Sequence, residues 1–89
     1  MSLEELRLKI DEVDNQLIKL YEDRLEIAEG IAKAKLEIGK EVFDPEREKL
    51  KLEVVRNKTS REENKDGVEA LFRFLMDESK KRQQEVINE

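Results

Sequence analysis

The sequence predicts an all-α fold, a helical bundle with three helices per chain, of which the first is very long. Apolar residues recur every three or four positions, only three glycines and one proline interrupt the chain, and 46% of the residues are charged. This composition is typical of long, solvent-exposed helices. The 89 residues, 37% of them apolar, can build one small domain with a modest core.

The first helix is predicted over about residues 2–38. Eleven positions from Leu3 to Ile38 step by threes and fours as a heptad seam, and Gly39 follows as a C-terminal cap. At 1.5 Å per residue this helix is about 55 Å long, whereas a compact chain of this size has a radius of gyration of about 12 Å. Part of the seam would therefore stay uncovered. We predict a homodimer, because a second copy of the chain is the simplest cover.

A second helix is predicted over about residues 45–57 and a third over about 67–87. Asp44 is suited to cap the second helix, and Pro45 fits its first position, where no backbone N–H is needed. The stretch NKTSREENKDG between the two helices is polar and has no periodicity, which indicates a connection. Residues 1–89 are therefore interpreted as a single helical domain.

Composition argues against several classes of function. A net charge of −5 makes nucleic acid or an anionic membrane an unsuitable main partner. The chain has no cysteine and no histidine, so disulfides, thiolate metal sites, the usual zinc sites and nucleophilic triads are not available. No apolar run approaches the roughly 20 residues that span a bilayer, and the N-terminus lacks a signal-peptide core. We expect a soluble, cytoplasmic protein with no metal and no cofactor.

Polar residues interrupt the apolar stripes of all three helices. Arg47, for example, shares a face with Leu50 and Val54 that we expect to be buried. Burying many polar groups without a purpose is costly, whereas a shared pocket between packed helices accounts for all of them. Such a pocket suits a small ligand with more than one carboxylate and at least one hydroxyl. Its predicted lining is Arg24 and Lys35 on the first helix, Arg47 and Glu48 on the second, and Ser79 and Gln83 on the third.

Each interruption also has a purely structural explanation. An arginine within a heptad seam, such as Arg24, can specify register or oligomeric state. Lys35 can extend from the helix edge into solvent. On this interpretation the chain is a non-catalytic helical dimerisation or interaction module. The two interpretations differ in whether the polar side chains converge on one cavity or lie in separate patches.

Arg7 poses a separate geometric question. It lies 17 residues before Arg24, which corresponds to roughly 25 Å along a helix axis. That distance is too large for both side chains to hold one small ligand. If Arg7 belongs to a site, it reaches into the site of the partner subunit.

Four segments stand out along the chain, in the order LRLKIDEVD (6–14), DRLEIAEGIAKAKLEIG (23–39), FDPERE (43–48) and DESKKRQQ (77–84). Together they resemble the signature blocks of the all-helical class of chorismate mutase. The resemblance implies an intertwined dimer of three-helix chains, in which the long first helix spans both subunits. It also implies the conversion of chorismate to prephenate, the branch step of the shikimate pathway toward phenylalanine and tyrosine. Because no second catalytic domain follows residue 89, we expect the stand-alone, monofunctional form.

The resemblance implies which residues hold the two substrate carboxylates. Arg24 would bind one carboxylate, and Arg7 of the other subunit would help to hold the other. Arg47 would help to fix both groups. Ser79 would support them through a hydrogen bond.

The resemblance also implies which residues act on the reacting part of the substrate. The ring hydroxyl would be bound by Glu48 and by the backbone at Asp44. The ether oxygen would accept hydrogen bonds from Lys35 and Gln83. The expected catalytic residues are therefore Lys35, Gln83, Arg24 and Glu48. The reaction implied is a concerted [3,3] rearrangement that needs no proton transfer, which suits a chain without histidine or cysteine.

Two alternatives stay open within the same fold. A related lyase, which removes pyruvate from isochorismate, has a similar helical scaffold and a similarly placed lysine. A small helical mutase could also gain activity by docking onto another enzyme of the pathway. No residue of the sequence identifies such a partner.

Overall fold

The computed structural model describes residues 1–89 and consists of three α-helices and one turn of 3-10 helix. Helix α1 spans Leu3–Ile38, α2 spans Pro45–Lys58 and α3 spans Lys65–Ile87, with the 3-10 turn at Glu62–Asn64. The all-α class and the very long first helix are confirmed. None of the helices is long and apolar enough to cross a membrane.

Helix α3 begins earlier than the sequence predicts, at Lys65 instead of near Gly67. The 3-10 turn leads directly into the helix, and Glu62 in that turn pairs with Lys65 at 3.1 Å. Gly67 is therefore a residue of the first helical turn. The stretch NKTSREENKDG, which the sequence analysis interprets as a connection, is therefore helical in its last three residues.

Short-range hydrogen bonds set where α1 and α2 begin and where α1 ends. The Ser2 hydroxyl accepts a bond from the backbone N–H of Glu5 at 3.1 Å, and the Asp44 carboxylate accepts one from that of Arg47 at 3.1 Å. Gly39 adopts the left-handed conformation with φ of 67°, which a glycine accommodates without strain and which ends α1. The chain then turns so that α2 can return toward α3.

Helix α3 is the central element, because both α1 and α2 pack against it. Against α1 the contact centres on two alanines, Ala28 and Ala32, which are 2% and 0% exposed. Their small side chains allow a close approach of the two helices. The guanidinium of Arg82 on α3 donates to the carboxylate of Glu29 on α1 at 2.7 Å and borders this contact. Val55 is the buried residue of α2.

The expectation that the face of α2 with Arg47, Leu50 and Val54 is buried is wrong for the single chain. Arg47 is exposed, and Leu50 and Val54 are 54% and 41% exposed. The covered stripe is the adjacent one, with Glu48 half-buried and Val55 buried. Since α2 packs against α3 alone, only one stripe of it can be covered.

The N-terminal half of α1 extends beyond the rest of the chain. Every residue from 1 to 20 is exposed, and the chain measures 54 × 28 × 14 Å with a radius of gyration of 16.2 Å. That radius exceeds the roughly 12 Å of a compact chain of this length. The smallest dimension is close to the diameter of one helix with its side chains, about 10–12 Å. The exposed apolar side chains of this half are Leu3, Leu6, Leu8, Ile10, Val13, Leu17, Ile18 and Leu20.

The cap of α2 predicts a pH-dependent contribution to stability. The pKa of the Asp44 carboxyl lies below its ordinary value because the backbone N–H of Arg47 donates to the carboxylate, and Lys40 favours the charged form as well. A carboxyl whose pKa is depressed on folding stabilises the protein at neutral pH. This contribution is lost as the pH falls through the folded-state pKa, below the ordinary carboxyl value of about 4.

We expect Asp44→Ala to lower the urea midpoint of unfolding at neutral pH, with a difference from wild type that narrows in acid. Asp44→Asn should lower the urea midpoint by less, because an asparagine side chain can still cap the helix. Glu41→Ala, which removes a carboxylate at an exposed position outside the helices, is the matched control and should keep the wild-type midpoint. If the urea midpoint of Asp44→Ala lies below that of wild type by the same amount at every pH, the electrostatic part of this prediction is wrong.

Candidate active site

A cleft of about 440 Å³ lies between the three helices. This volume falls within the range of about 300–1,000 Å³ that small-molecule sites usually have. The structure brings together here seven of the eight residues that the sequence predicts for a site. They are Arg24, Lys35, Asp44, Arg47, Glu48, Ser79 and Gln83.

Arg24 lies on α1 one turn before the buried Ala28, so its side chain enters the cleft beside the contact between α1 and α3. Its guanidinium donates to the backbone carbonyl of Leu75 on α3 at 3.3 Å. Burial lowers the pKa of Arg24, but an arginine keeps its charge in proteins. The remaining N–H groups of this fixed cation can bind a carboxylate.

Lys35 connects α1 to the loop that precedes α2. Its ammonium donates to the backbone carbonyl of Val42 at 2.6 Å, and both residues line the cleft. An ammonium group has three donors, so two are left for a ligand. The bond to Val42 also holds the cation at one end of the cleft, because the backbone oxygen restricts where the flexible side chain can point.

Gln83 of α3 is a buried polar residue of the cleft, with 5% of its surface exposed. Its amide nitrogen donates to the Ser79 hydroxyl at 2.9 Å, and its amide oxygen is buried without a partner. The two ends of an amide are assigned from their hydrogen bonds, and a Ser hydroxyl can donate as well as accept. In either orientation one end of the amide is unpaired. Buried polar groups nearly always have a partner, so this end is suited to bind a ligand.

Glu48 is half-buried and forms an ion pair with Lys80 of α3 at 3.0 Å. Arg47, one residue earlier, lies at the exposed rim. The Asp44 carboxylate is engaged in capping α2 and lies 3.4 Å from the Lys40 ammonium. The acidic groups of the cleft are thus both held by neighbouring donors.

Sequence reasoning missed three lysines that also line the cleft, Lys40, Lys51 and Lys80. With them the lining carries six cationic and two anionic side chains, a net formal charge of +4 within a chain of net charge −5. Lys51 follows Arg47 by one helical turn, a spacing that could have indicated it. Lys80 follows Ser79 directly, but a lysine in that position looks like an ordinary surface charge.

The eighth predicted residue, Arg7, does not line the cleft. It lies in the exposed N-terminal half of α1, roughly 25 Å along the helix from Arg24. Within one chain it therefore cannot contact a small ligand that Arg24 binds.

Convergence of the polar side chains on one cavity distinguishes a binding site from a structural heptad seam. Five charged or amide side chains converge on this cleft. A non-catalytic helical module predicts separate patches, and the structure shows one cavity with a strong positive charge and a buried, half-paired amide. The arrangement is suited to a small polyanion, to which Lys35 and Gln83 offer hydrogen-bond donors. The five are Arg24, Lys35, Arg47, Glu48 and Gln83.

Comparison with known proteins gives a consistent result. Residues 6–84 match the protein family described as chorismate mutase type II. The chain is 37% identical over 90 residues to the chorismate mutase of Methanocaldococcus jannaschii, a match that covers 98% of this chain and 89% of that protein. It is 34% identical over 79 residues to the T-protein of Haemophilus influenzae, which covers 88% of this chain but only 21% of that longer protein. No solved structure gives a significant match.

Proposed function

This chain belongs to the chorismate mutase type II family, and we propose that the cleft between its three helices is the active site in which chorismate rearranges to prephenate. The observation that carries the proposal is the convergence of Arg24, Lys35 and Gln83, from two helices, on a cleft whose net charge is +4. Chorismate has two carboxylates, a ring hydroxyl and an ether oxygen. The cleft offers a suitable partner to each of these groups.

Binding of the two carboxylates restricts the shape of the substrate. The reaction breaks a C–O bond while a C–C bond forms, so the two ends of a flexible dianion must meet. Arg24 is a fixed cation at the α1–α3 contact, and Arg47 of α2 lies at the exposed rim of the cleft. Holding a carboxylate at each place favours the folded conformer in which the reacting carbons are close.

The second contribution is electrostatic. Negative charge grows on the ether oxygen as its bond to carbon lengthens, so donors placed there bind the transition state more strongly than the substrate. Lys35 is oriented by the Val42 carbonyl, and Gln83 is oriented by Ser79. With the amide turned so that Ser79 donates to its oxygen, the Gln83 nitrogen is free to donate to the ether oxygen.

Glu48 and the backbone at Asp44 are the groups suited to the ring hydroxyl. The Glu48 carboxylate uses one oxygen for Lys80 and has a second oxygen that can accept a bond. A hydrogen bond from the ring hydroxyl to this oxygen orients the ring within the cleft. It does so without a proton transfer.

Lys35→Ala should be the most damaging substitution, and its effect should fall mainly on kcat. Loss of one donor to a developing oxyanion typically costs about 10²–10³-fold in rate. The assay follows the disappearance of chorismate and identifies the product. Lys33→Ala, which removes an exposed lysine two positions away, is the matched control and should keep wild-type kcat.

A kcat of Lys35→Ala within a few-fold of wild type would show that Lys35 does not act on the ether oxygen. Isochorismate is tested alongside chorismate. Formation of pyruvate as the main product would assign the cleft to the lyase reaction. No turnover of either substrate by the wild-type protein would reject the proposed function altogether.

Gln83→Glu should move the pH optimum of activity toward acid. A glutamate at this buried position can donate a hydrogen bond to the ether oxygen only when it is protonated. The glutamine amide has no such requirement. Gln84→Glu, at the exposed neighbouring position, introduces the same charge and should leave the pH profile of kcat unchanged. An unshifted profile for Gln83→Glu would argue against a hydrogen bond from this residue to the substrate.

We also propose that two copies of the chain form the functional unit. The exposed seam of α1 from Leu3 to Leu20 needs a cover, and burial of apolar surface is the main driving force for association. A partner chain along this seam would also cover Leu50 and Val54 if it reaches α2. Arg7 lies on the same half of α1, so the copy that covers the seam can bring Arg7 to the cleft of its neighbour.

A mixture of two inactive variants tests this assembly. In a dimer that shares its sites, Arg7→Ala chains paired with Lys35→Ala chains contain one intact site and one doubly altered site. An equal mixture, refolded together from denaturant, should therefore recover about a quarter of wild-type activity if pairing is random. Arg24→Ala mixed with Lys35→Ala should recover none, because both residues belong to the same chain's part of the site.

Light scattering on the same samples should give the mass of two chains. Wild-type activity of the Arg7→Ala variant by itself would show that Arg7 does not belong to the site. Absence of recovery in a mixture that is shown to contain heterodimers would contradict the sharing of sites.

A further inference from the structure

Lys80 of α3 is held by groups from three different segments. Its ammonium lies 3.0 Å from the Glu48 carboxylate of α2 and 3.3 Å from that of Asp77 of α3. It also lies 4.8 Å from the centre of the Phe43 ring, in the loop between α1 and α2. A cation over an aromatic face is attracted by the ring electrons. These contacts fix the position of a side chain that is otherwise flexible.

The contact with Glu48 is the one that reaches the cleft. Both residues line it, and both side chains are mostly covered, with 29% and 25% of their surfaces exposed. Lys80 forms the only ion pair of Glu48. Because the ammonium contacts one carboxylate oxygen, it sets the direction in which the other oxygen points.

We propose that Lys80 is a positioning residue, which orients the Glu48 carboxylate so that its second oxygen accepts the ring hydroxyl of the substrate. This inference rests on the proposed function of the cleft. In this role the Lys80 ammonium is engaged by Glu48, Asp77 and the Phe43 ring and acts on the substrate through Glu48. The Phe43 ring, which is not part of the cleft lining, helps to keep the cation in place.

The charge of Lys80 is stable over the pH range in which the enzyme is assayed. The pKa of its ammonium is raised, chiefly by the hydrogen bond with Glu48 and further by the one with Asp77, although partial burial opposes the change. The ammonium therefore keeps its charge at neutral pH. Removal of this cation therefore requires a substitution.

Lys80→Met tests the proposal, because methionine keeps the length of the side chain and removes its charge. We expect kcat/KM for chorismate to fall about 10-fold, within the range of coupling energies between neighbouring groups. Lys80→Arg should recover most of the loss, since arginine binds carboxylates and stacks on aromatic rings. Lys81→Met is the matched control, because Lys81 is exposed, pairs with Glu78 and does not line the cleft.

A double substitution separates positioning from direct binding. Lys80→Met should cause no further loss in a Glu48→Gln background, because the carboxylate that it positions is absent. If Glu48→Gln turns over too slowly, the affinity for prephenate by calorimetry completes the same cycle. Thermal unfolding of each variant gives its folded fraction at the assay temperature, by which the rates are corrected.

Three results would overturn the proposal. A loss that persists in the Glu48→Gln background would show that Lys80 binds the substrate itself. Wild-type kcat/KM in Lys80→Met would show that Glu48 needs no such support, and an equal loss in Lys81→Met would assign the effect to overall charge. The wild-type rate in the same assay distinguishes these failures from a failure of the proposed function, which would leave the wild type inactive.

Discussion

The close approach of α1 and α3 at Ala28 and Ala32 is the constraint on which the cleft depends. These alanines are 2% and 0% exposed, and a larger side chain at either position would push the helices apart. Arg24 precedes the first alanine by one turn, and Lys35 follows the second by three residues. Gln83 of α3 is buried and lines the same cleft as Ala28. The packing of two small residues thus determines the separation of the groups that would hold and activate the substrate.

A cleft with a net charge of +4 stores electrostatic repulsion among its own side chains. The structure reduces that repulsion with two acidic residues, each beside a lysine. Asp44 lies 3.4 Å from Lys40, and Glu48 lies 3.0 Å from Lys80. The two cations that α1 contributes, Arg24 and Lys35, donate instead to backbone carbonyls, which orient them without cancelling their charge. The uncompensated charge therefore lies where a dianion would bind.

Periodicity and cap residues were sufficient to predict three helices, because each depends on neighbours in the sequence. The convergence of Arg24 and Gln83 on one cleft could also be predicted from the sequence, since both residues interrupt otherwise apolar stripes. The face of α2 could not be predicted, because Leu50 and Val54 form an equally apolar stripe and only the packing against α3 selects the other one. Lys80 was missed for a similar reason. Its role arises from Glu48, which is distant in sequence.

The length of α1 links assembly to the proposed reaction. Its C-terminal half packs against α3 and carries Arg24 and Lys35, whereas its N-terminal half, exposed up to Leu20, carries Arg7. One continuous helix fixes the distance between these halves, so a second copy that covers the exposed seam is placed at a defined distance from the first cleft. In the proposed dimer, the apolar contact that holds the chains together also sets the position of Arg7. Dilution below the dimer's dissociation constant would then remove a substrate-binding cation as well as the cover of the seam.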